Sequence, residues 1–160
     1  MLPMDEKVDE LYKRILYNAY IPQRFKNKSF KNYNPYDQNR QVYKQVLNYA
    51  RGFADIYQKG KWLLMQGDYG LGKTHLAVAV LKRAAHWFAS EYTDRGADIP
   101  ISIIAEKENM QPVLFQNITD MLQEIKKAYN HWDINEDEVV WKFQTVPLLV
   151  IDDLGAEKDS

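Results

Sequence analysis

The first twenty residues carry apolar side chains at helical spacing. Val8, Leu11, Tyr12, Ile15, Leu16 and Ala19 fall at i, i+3, i+4, i+7, i+8 and i+11, which predicts an amphipathic helix over residues 4–20 that must stop before Pro22. Residues 21–36 lack such a period and read as an irregular segment rich in Asn and Pro. Val42, Val46, Tyr49, Ala50 and Phe53 then mark a second helix ending near Gly60. The run Trp62-Leu63-Leu64-Met65, bounded by Gly60-Lys61 and Gln66-Gly67, has the pattern of a strand buried on both faces of a parallel sheet. Leu76, Ala77, Val80, Leu81, Ala84, Trp87 and Phe88 return to helical spacing and predict one apolar face about three turns long.

Beyond that helix the pattern breaks between Asp94 and Pro100. Two strand-like runs follow, Ile101-Ser102-Ile103-Ile104 and Val113-Leu114-Phe115; the second is the one expected to join the main sheet. Ile118, Met121, Leu122, Ile125 and Tyr129 predict a helix capped by Asn117 or Thr119, and Val139 to Phe143 a shorter one. Pro147-Leu148-Leu149-Val150-Ile151-Asp152-Asp153 is an apolar run ending in two carboxylates, the pattern of a buried parallel strand with acidic groups at its carboxyl edge. Alternating strands and helices make the chain α/β.

Composition narrows the class. The 160 residues suit one domain. The absence of cysteine excludes disulfides and Cys-based zinc sites. No stretch is long and apolar enough for a membrane span, and the N-terminus has no basic region before an apolar one, so a soluble, cytoplasmic protein without membrane association is expected. A net charge of −1 means that any nucleic-acid binding must come from a local patch.

Between the Trp62 run and the helix that follows lies the candidate chemistry. Gly67-Asp68-Tyr69-Gly70-Leu71-Gly72-Lys73-Thr74-His75 contains a complete G-x-x-x-x-G-K-[ST] phosphate loop. Its glycines let backbone N–H groups point inward around an anion, Lys73 would reach the β- and γ-phosphates, and Thr74 would ligate Mg²⁺. At the acidic strand, Asp152 is placed to hold the metal and Asp153 to orient and deprotonate an attacking water. The bland alternatives are a Gly-rich turn and an acidic turn after a strand; their co-occurrence in one chain argues against both. His75 is expected to order the helix start, and His86 and His131 to be packing or surface residues. Arg24-Phe25-Lys26-Asn27-Lys28-Ser29-Phe30-Lys31-Asn32-Tyr33 interleaves cations and rings, a pattern that can track a single nucleic-acid strand; rings packed on the domain or flanking a nucleotide base are the favoured reading.

Together, Ile21-Pro22-Gln23-Arg24-Phe25 with Phe30-Lys31-Asn32-Tyr33, GDYGLGKTHLA at 67–77, VLFQNITDMLQEIKKAY at 113–129 and LLVIDDLGAE at 148–157 resemble the ATPase domain of DnaC/DnaI-type replicative helicase loaders, members of the AAA+ superfamily. IstB-like transposition ATPases share much of the pattern. The resemblance covers about residues 20–157. It implies a P-loop three-layer α-β-α fold with a parallel sheet, an N-terminal helix and linker over 1–36 and an ATPase core over 37–160. It further implies ATP or ADP with Mg²⁺, a replicative DNA helicase and single-stranded DNA as partners, self-association through the ATPase domain, and Lys73 and Asp153 as catalytic residues.

Similar proteins carry an N-terminal helicase-binding domain. After the acidic strand they continue with a sensor strand, which lies between the phosphate-loop strand and the acidic strand, and with an arginine finger. The expectation is therefore that these residues are part of a longer protein, with weak or no turnover on their own. Direct pairing of the two strands is the alternative. The remaining functional alternatives are a nucleotide-gated binding module with little hydrolysis and a small-molecule kinase.

Overall fold

The computed structural model of the chain describes residues 4–94, 111–130 and 135–154. Its first helix, α1 (Met4–Tyr17), begins with Asp5 and Glu6, whose charges suit the positive end of the helix dipole. It ends earlier than the periodicity predicts because Tyr20 takes a left-handed φ of 56°, turning the chain ahead of Pro22. Ile15, Ala19 and Ile21 are nevertheless all buried, so the apolar stripe outlasts the helix. Single 3-10 turns at Gln23–Phe25, Phe30–Asn32 and Asp37–Asn39 punctuate the irregular segment.

The predicted second helix is two. α2 (Arg40–Arg51) and α3 (Phe53–Gln58) meet at Gly52, whose φ of −89° and ψ of 21° bend the axis. Gly60, at φ 60°, closes α3 in the left-handed conformation that glycine adopts at least cost. α4 (Lys73–Asp94) is longer and more enclosed than its seven-residue stripe predicts: Leu76 through Leu81 are buried without interruption, as are Ala84, Ala85, Phe88 and Ala89. An amphipathic helix facing one core would leave polar positions among these; α4 instead lies between two cores. One contains Ile15, Ala19, Ile21, Phe53, Val113 and Phe115. The other joins Val46 and Ala50 of α2 to Leu76 and Val80, with Phe30, Tyr33 and Tyr43 against it.

The sheet has two strands among the described residues, β1 (Val113–Asn117) and β2 (Leu148–Asp152), parallel and in register from Val113 opposite Leu148 to Asn117 opposite Asp152. Both were legible as strands, and β1 is the run expected to join the sheet. Between them, α5 (Ile118–Asn130) and α6 (Glu136–Thr145) make the crossover, joined by Lys142 and Glu124 at 2.8 Å. The N–H of Phe115 donates to the carbonyl of Ala19 at 2.9 Å, so the chain leaving α1 meets the β1 edge.

Trp62-Leu63-Leu64-Met65 departs from expectation. Residues 61–68 form neither helix nor strand, and Trp62 is 80% exposed. A strand exists only by pairing, and β2 pairs with β1 alone among the described residues, so the Trp62 run has no ladder to enter and direct pairing of the two predicted strands is not found. Architecture at this level is mixed α/β with a small parallel sheet. Residues 95–100, the Ile101–Ile104 run, His131 and residues 155–157 of the acidic signature lie outside the described residues. No described helix is long and apolar enough to cross a membrane.

The depth of α4 yields a stability prediction. Leu81 is fully buried at its centre, and Leu81→Ala should destabilise the chain by about 2–5 kcal/mol, read as a lower urea midpoint.

Candidate functional site

The N-terminus of α4, the loop before it and the carboxyl ends of both strands converge at one place. Gly67, Gly70 and Gly72 have φ of 143°, 81° and 81°, a region that L side chains rarely adopt, so the three glycines are required by the path of the loop. The carbonyl of Gly72 accepts the first helical bond, from the N–H of Leu76 at 3.0 Å. That makes Lys73, Thr74 and His75 the first turn, whose N–H groups have no intrahelical partner and stand at the positive end of the dipole. Asp68, Tyr69, Gly70 and Leu71 form the exposed crown of the loop, with Tyr69 94% exposed.

Lys73 folds back across this crown. Its Nζ donates to the carbonyls of Gly67 at 2.6 Å and Asp68 at 2.8 Å, and lies 5.8 Å from the centroid of the Tyr69 ring. An arriving anion would compete with two carbonyls for the ammonium. Thr74 Oγ1 stands 2.9 and 3.1 Å from the two carboxylate oxygens of Asp152, its hydroxyl donating to them. The sequence-predicted metal pair is thus brought into contact across 78 positions of chain.

Asp153 does not face this pair. Its backbone is left-handed, at φ 57°, a conformation that Asp tolerates better than most residues. Its Oδ2 accepts a hydrogen bond from Asn117 Nδ2 at 2.9 Å. The Oδ1 of Asn117 meanwhile accepts from the N–H of Thr119 at 2.9 Å, capping α5. One side chain thus starts α5 and holds the second carboxylate. Its cap is legible from the sequence, whereas its grip on Asp153 depends on the β1–β2 register, which places Asn117 opposite Asp152.

His75 turns away from the loop: its Nε2 is 2.9 Å from the Ser29 carbonyl and 3.1 Å from Asn32 Oδ1, so it fastens the start of α4 to the 29–32 turn. His86 packs edge-on against Tyr12 with centroids 5.7 Å apart, as a packing histidine should. The basic and aromatic segment also takes its bland form. Phe25 packs against the first core, and Phe30 and Tyr33 against the second, while the Arg24 guanidinium covers the Phe25 ring at 4.8 Å. These rings are partly buried against the two cores. Lys82, its pKa lowered by burial, donates to the Lys26 carbonyl. Among the described residues no group of three or more His, Cys, Asp or Glu is placed to hold a metal, so a cation here would rest on hydroxyl and carboxylate donors together.

No family model and no solved structure matches the chain. It is similar to the replicative helicase loader DnaI of Bacillus subtilis (strain 168), with 25% identity over 158 residues. The match covers 97% of this chain and 43% of that protein, so the chain spans less than half the length of its relative.

Asn117→Ala should cost about 0.5–2 kcal/mol through loss of the α5 cap, whereas Asn117→Asp keeps a capping acceptor but sets a second carboxylate against Asp153. Urea denaturation of both variants should show the Asp variant regaining stability when pH falls far enough to protonate one of the pair.

Proposed function

We propose that the chain is the nucleotide-handling part of a helicase-loader-type ATPase, binding ATP or ADP with Mg²⁺ on Gly67–His75 and Asp152. The observation that carries this reading is the meeting of Thr74 with Asp152 beneath a loop whose glycines leave the first-turn amides of α4 facing outward.

The donors fit the cation. Mg²⁺ takes hard oxygen ligands at about 2.0–2.1 Å in an octahedron, so adjacent ligands stand about 2.9 Å apart. Thr74 Oγ1 and the nearer oxygen of Asp152 are already 2.9 Å apart. When bound, the ion would neutralise charge across the β- and γ-phosphates.

The remaining work falls to the chain. The N–H groups of the loop and of Lys73, Thr74 and His75 would bind phosphate oxygens, and the Lys73 ammonium would exchange the Gly67 and Asp68 carbonyls for them. Asp153, released from Asn117, would accept the proton of the attacking water. In the arrangement described here Asp153 is held. This favours a second, related reading, a nucleotide-gated binding module in which occupancy rather than turnover is the signal.

The wider proposal includes a three-layer P-loop architecture with residues 1–36 as an N-terminal helix and linker and 37–160 as ATPase core. It also includes a cytoplasmic setting, self-association through that core, and a replicative helicase and single-stranded DNA as partners. The relative's own name supports the helicase.

Nucleotide titrations test it. Lys73→Ala should weaken ATP binding about 10- to 100-fold, the value of a charge-assisted hydrogen bond. Thr74→Ala and Asp152→Asn should abolish the dependence of affinity on Mg²⁺. Unchanged ATP affinity in Lys73→Ala would sink the proposal. Asp153→Asn separates the two readings: a fall in turnover of about 100-fold or more with affinity retained identifies an ATPase, and negligible turnover in the wild-type chain identifies a gated module.

A further inference from the structure

A loop with three left-handed glycines and an exposed crown cannot hold its own shape; glycine loses more backbone freedom on ordering than any other residue. Something outside residues 67–72 must brace it. Tyr33, 38 positions upstream of Leu71, donates its hydroxyl to the Leu71 carbonyl at 3.0 Å, and its ring fills the space beside Gly72. A methyl group built on Gly72 would meet Tyr33 Cε2 at 2.7 Å and the hydroxyl oxygen at 3.2 Å.

The ring is itself clamped. It stacks parallel on Tyr43 with centroids 5.4 Å apart and meets His75 edge-on at 5.0 Å. Asn39 Nδ2 donates to the hydroxyl at 2.9 Å, which leaves that oxygen's one proton directed at Leu71. The turn carrying Tyr33 is fixed in turn, because Asn32 Oδ1 accepts from the Ser29 N–H at 2.8 Å and Asn32 Nδ2 donates to the Asn27 carbonyl at 2.7 Å.

We propose that Tyr33 is a positioning residue for the phosphate loop, holding Leu71 and Gly72 in the geometry that an anion needs. The inference rests on the nucleotide reading above for its functional meaning and on the loop contacts for its substance. Preorganisation lowers the ordering cost of binding, so the brace acts on the phosphates whatever group they carry. A ring that recognised the base would act only on the nucleoside.

The test compares ADP with inorganic pyrophosphate, titrated into the wild-type chain, Tyr33→Phe and Tyr33→Ala, together with amide hydrogen exchange of the ligand-free proteins. Tyr33→Phe keeps the ring and its packing while removing the hydroxyl. It should weaken both ligands equally, by about three- to tenfold, and speed exchange of the Leu76 N–H, which is bonded to the Gly72 carbonyl, without changing it at 78–81. Tyr33→Ala should do more of both. Loss of ADP affinity with pyrophosphate binding unchanged would overturn the proposal, since the ring would then serve the nucleoside. Unchanged affinities and unchanged exchange at Leu76, with only a lower melting temperature, would overturn it as well. A wild-type chain that binds neither ligand defeats the nucleotide reading but not the brace, which is then decided by exchange alone.

Discussion

Burial of α4 on nearly every side over its first half is the constraint from which the rest of the arrangement follows. Leu76, Val78, Val80, Leu81 and Phe88 are each almost wholly removed from water, and each such side chain is worth about 1.5–3 kcal/mol relative to exposure. A helix so enclosed has no freedom to slide or rotate, because a shift of one residue would carry five large side chains out of their places. α1 and β1 hold one flank through Ile15, Val113 and Phe115, and α2 holds the other through Val46 and Ala50. Its N-terminus is therefore a fixed point, and Lys73 and Thr74 inherit that fixity.

The sheet completes the site from the opposite side. Parallel register puts Asn117 and Asp152 side by side at the carboxyl ends of β1 and β2, the edge where ligands bind in open α/β sheets. Three side chains of the candidate site are held by the protein itself: Lys73 by loop carbonyls, Thr74 by Asp152 and Asp153 by Asn117. Each of these bonds is individually modest, about 0.5–3 kcal/mol. Under the proposed function a polyanion with its cation would displace them together, because it offers several charge-assisted bonds at once.

Elements whose identity depends on local pattern were legible in the sequence. α1, α5 and α6 follow from periodicity, β1 and β2 from short apolar runs with polar ends, and the phosphate loop from its glycines. The failures share a physical cause. Trp62-Leu63-Leu64-Met65 has the composition of a buried strand, but strand formation is a property of pairs, and no partner lies beside it among the described residues. The break between α2 and α3 was masked because Gly52 is followed by apolar residues that keep the helical period. The unbroken burial of α4 came from a second core, in which Val46 and Ala50 of α2 are joined by partly buried aromatic residues of the 30–43 segment that no periodicity marks.

The same non-locality governs the candidate site. Its ligating groups can be named from one short motif and one dipeptide, yet their geometry is set by residues that no motif contains. The glycines that free the loop to surround an anion also free it to do otherwise, so its shape must be imposed from outside. Tyr33 against Gly72 and His75 against Ser29 and Asn32 are that imposition. Both run to the 29–33 turn, whose aromatic residues pack against the core beneath α4. A displacement of that turn would be felt at once by Leu71, Gly72 and the first turn of α4, because rigid packing transmits strain instead of absorbing it. The phosphate loop and the segment before α2 therefore behave as one mechanical unit, although 38 positions separate Tyr33 from Leu71.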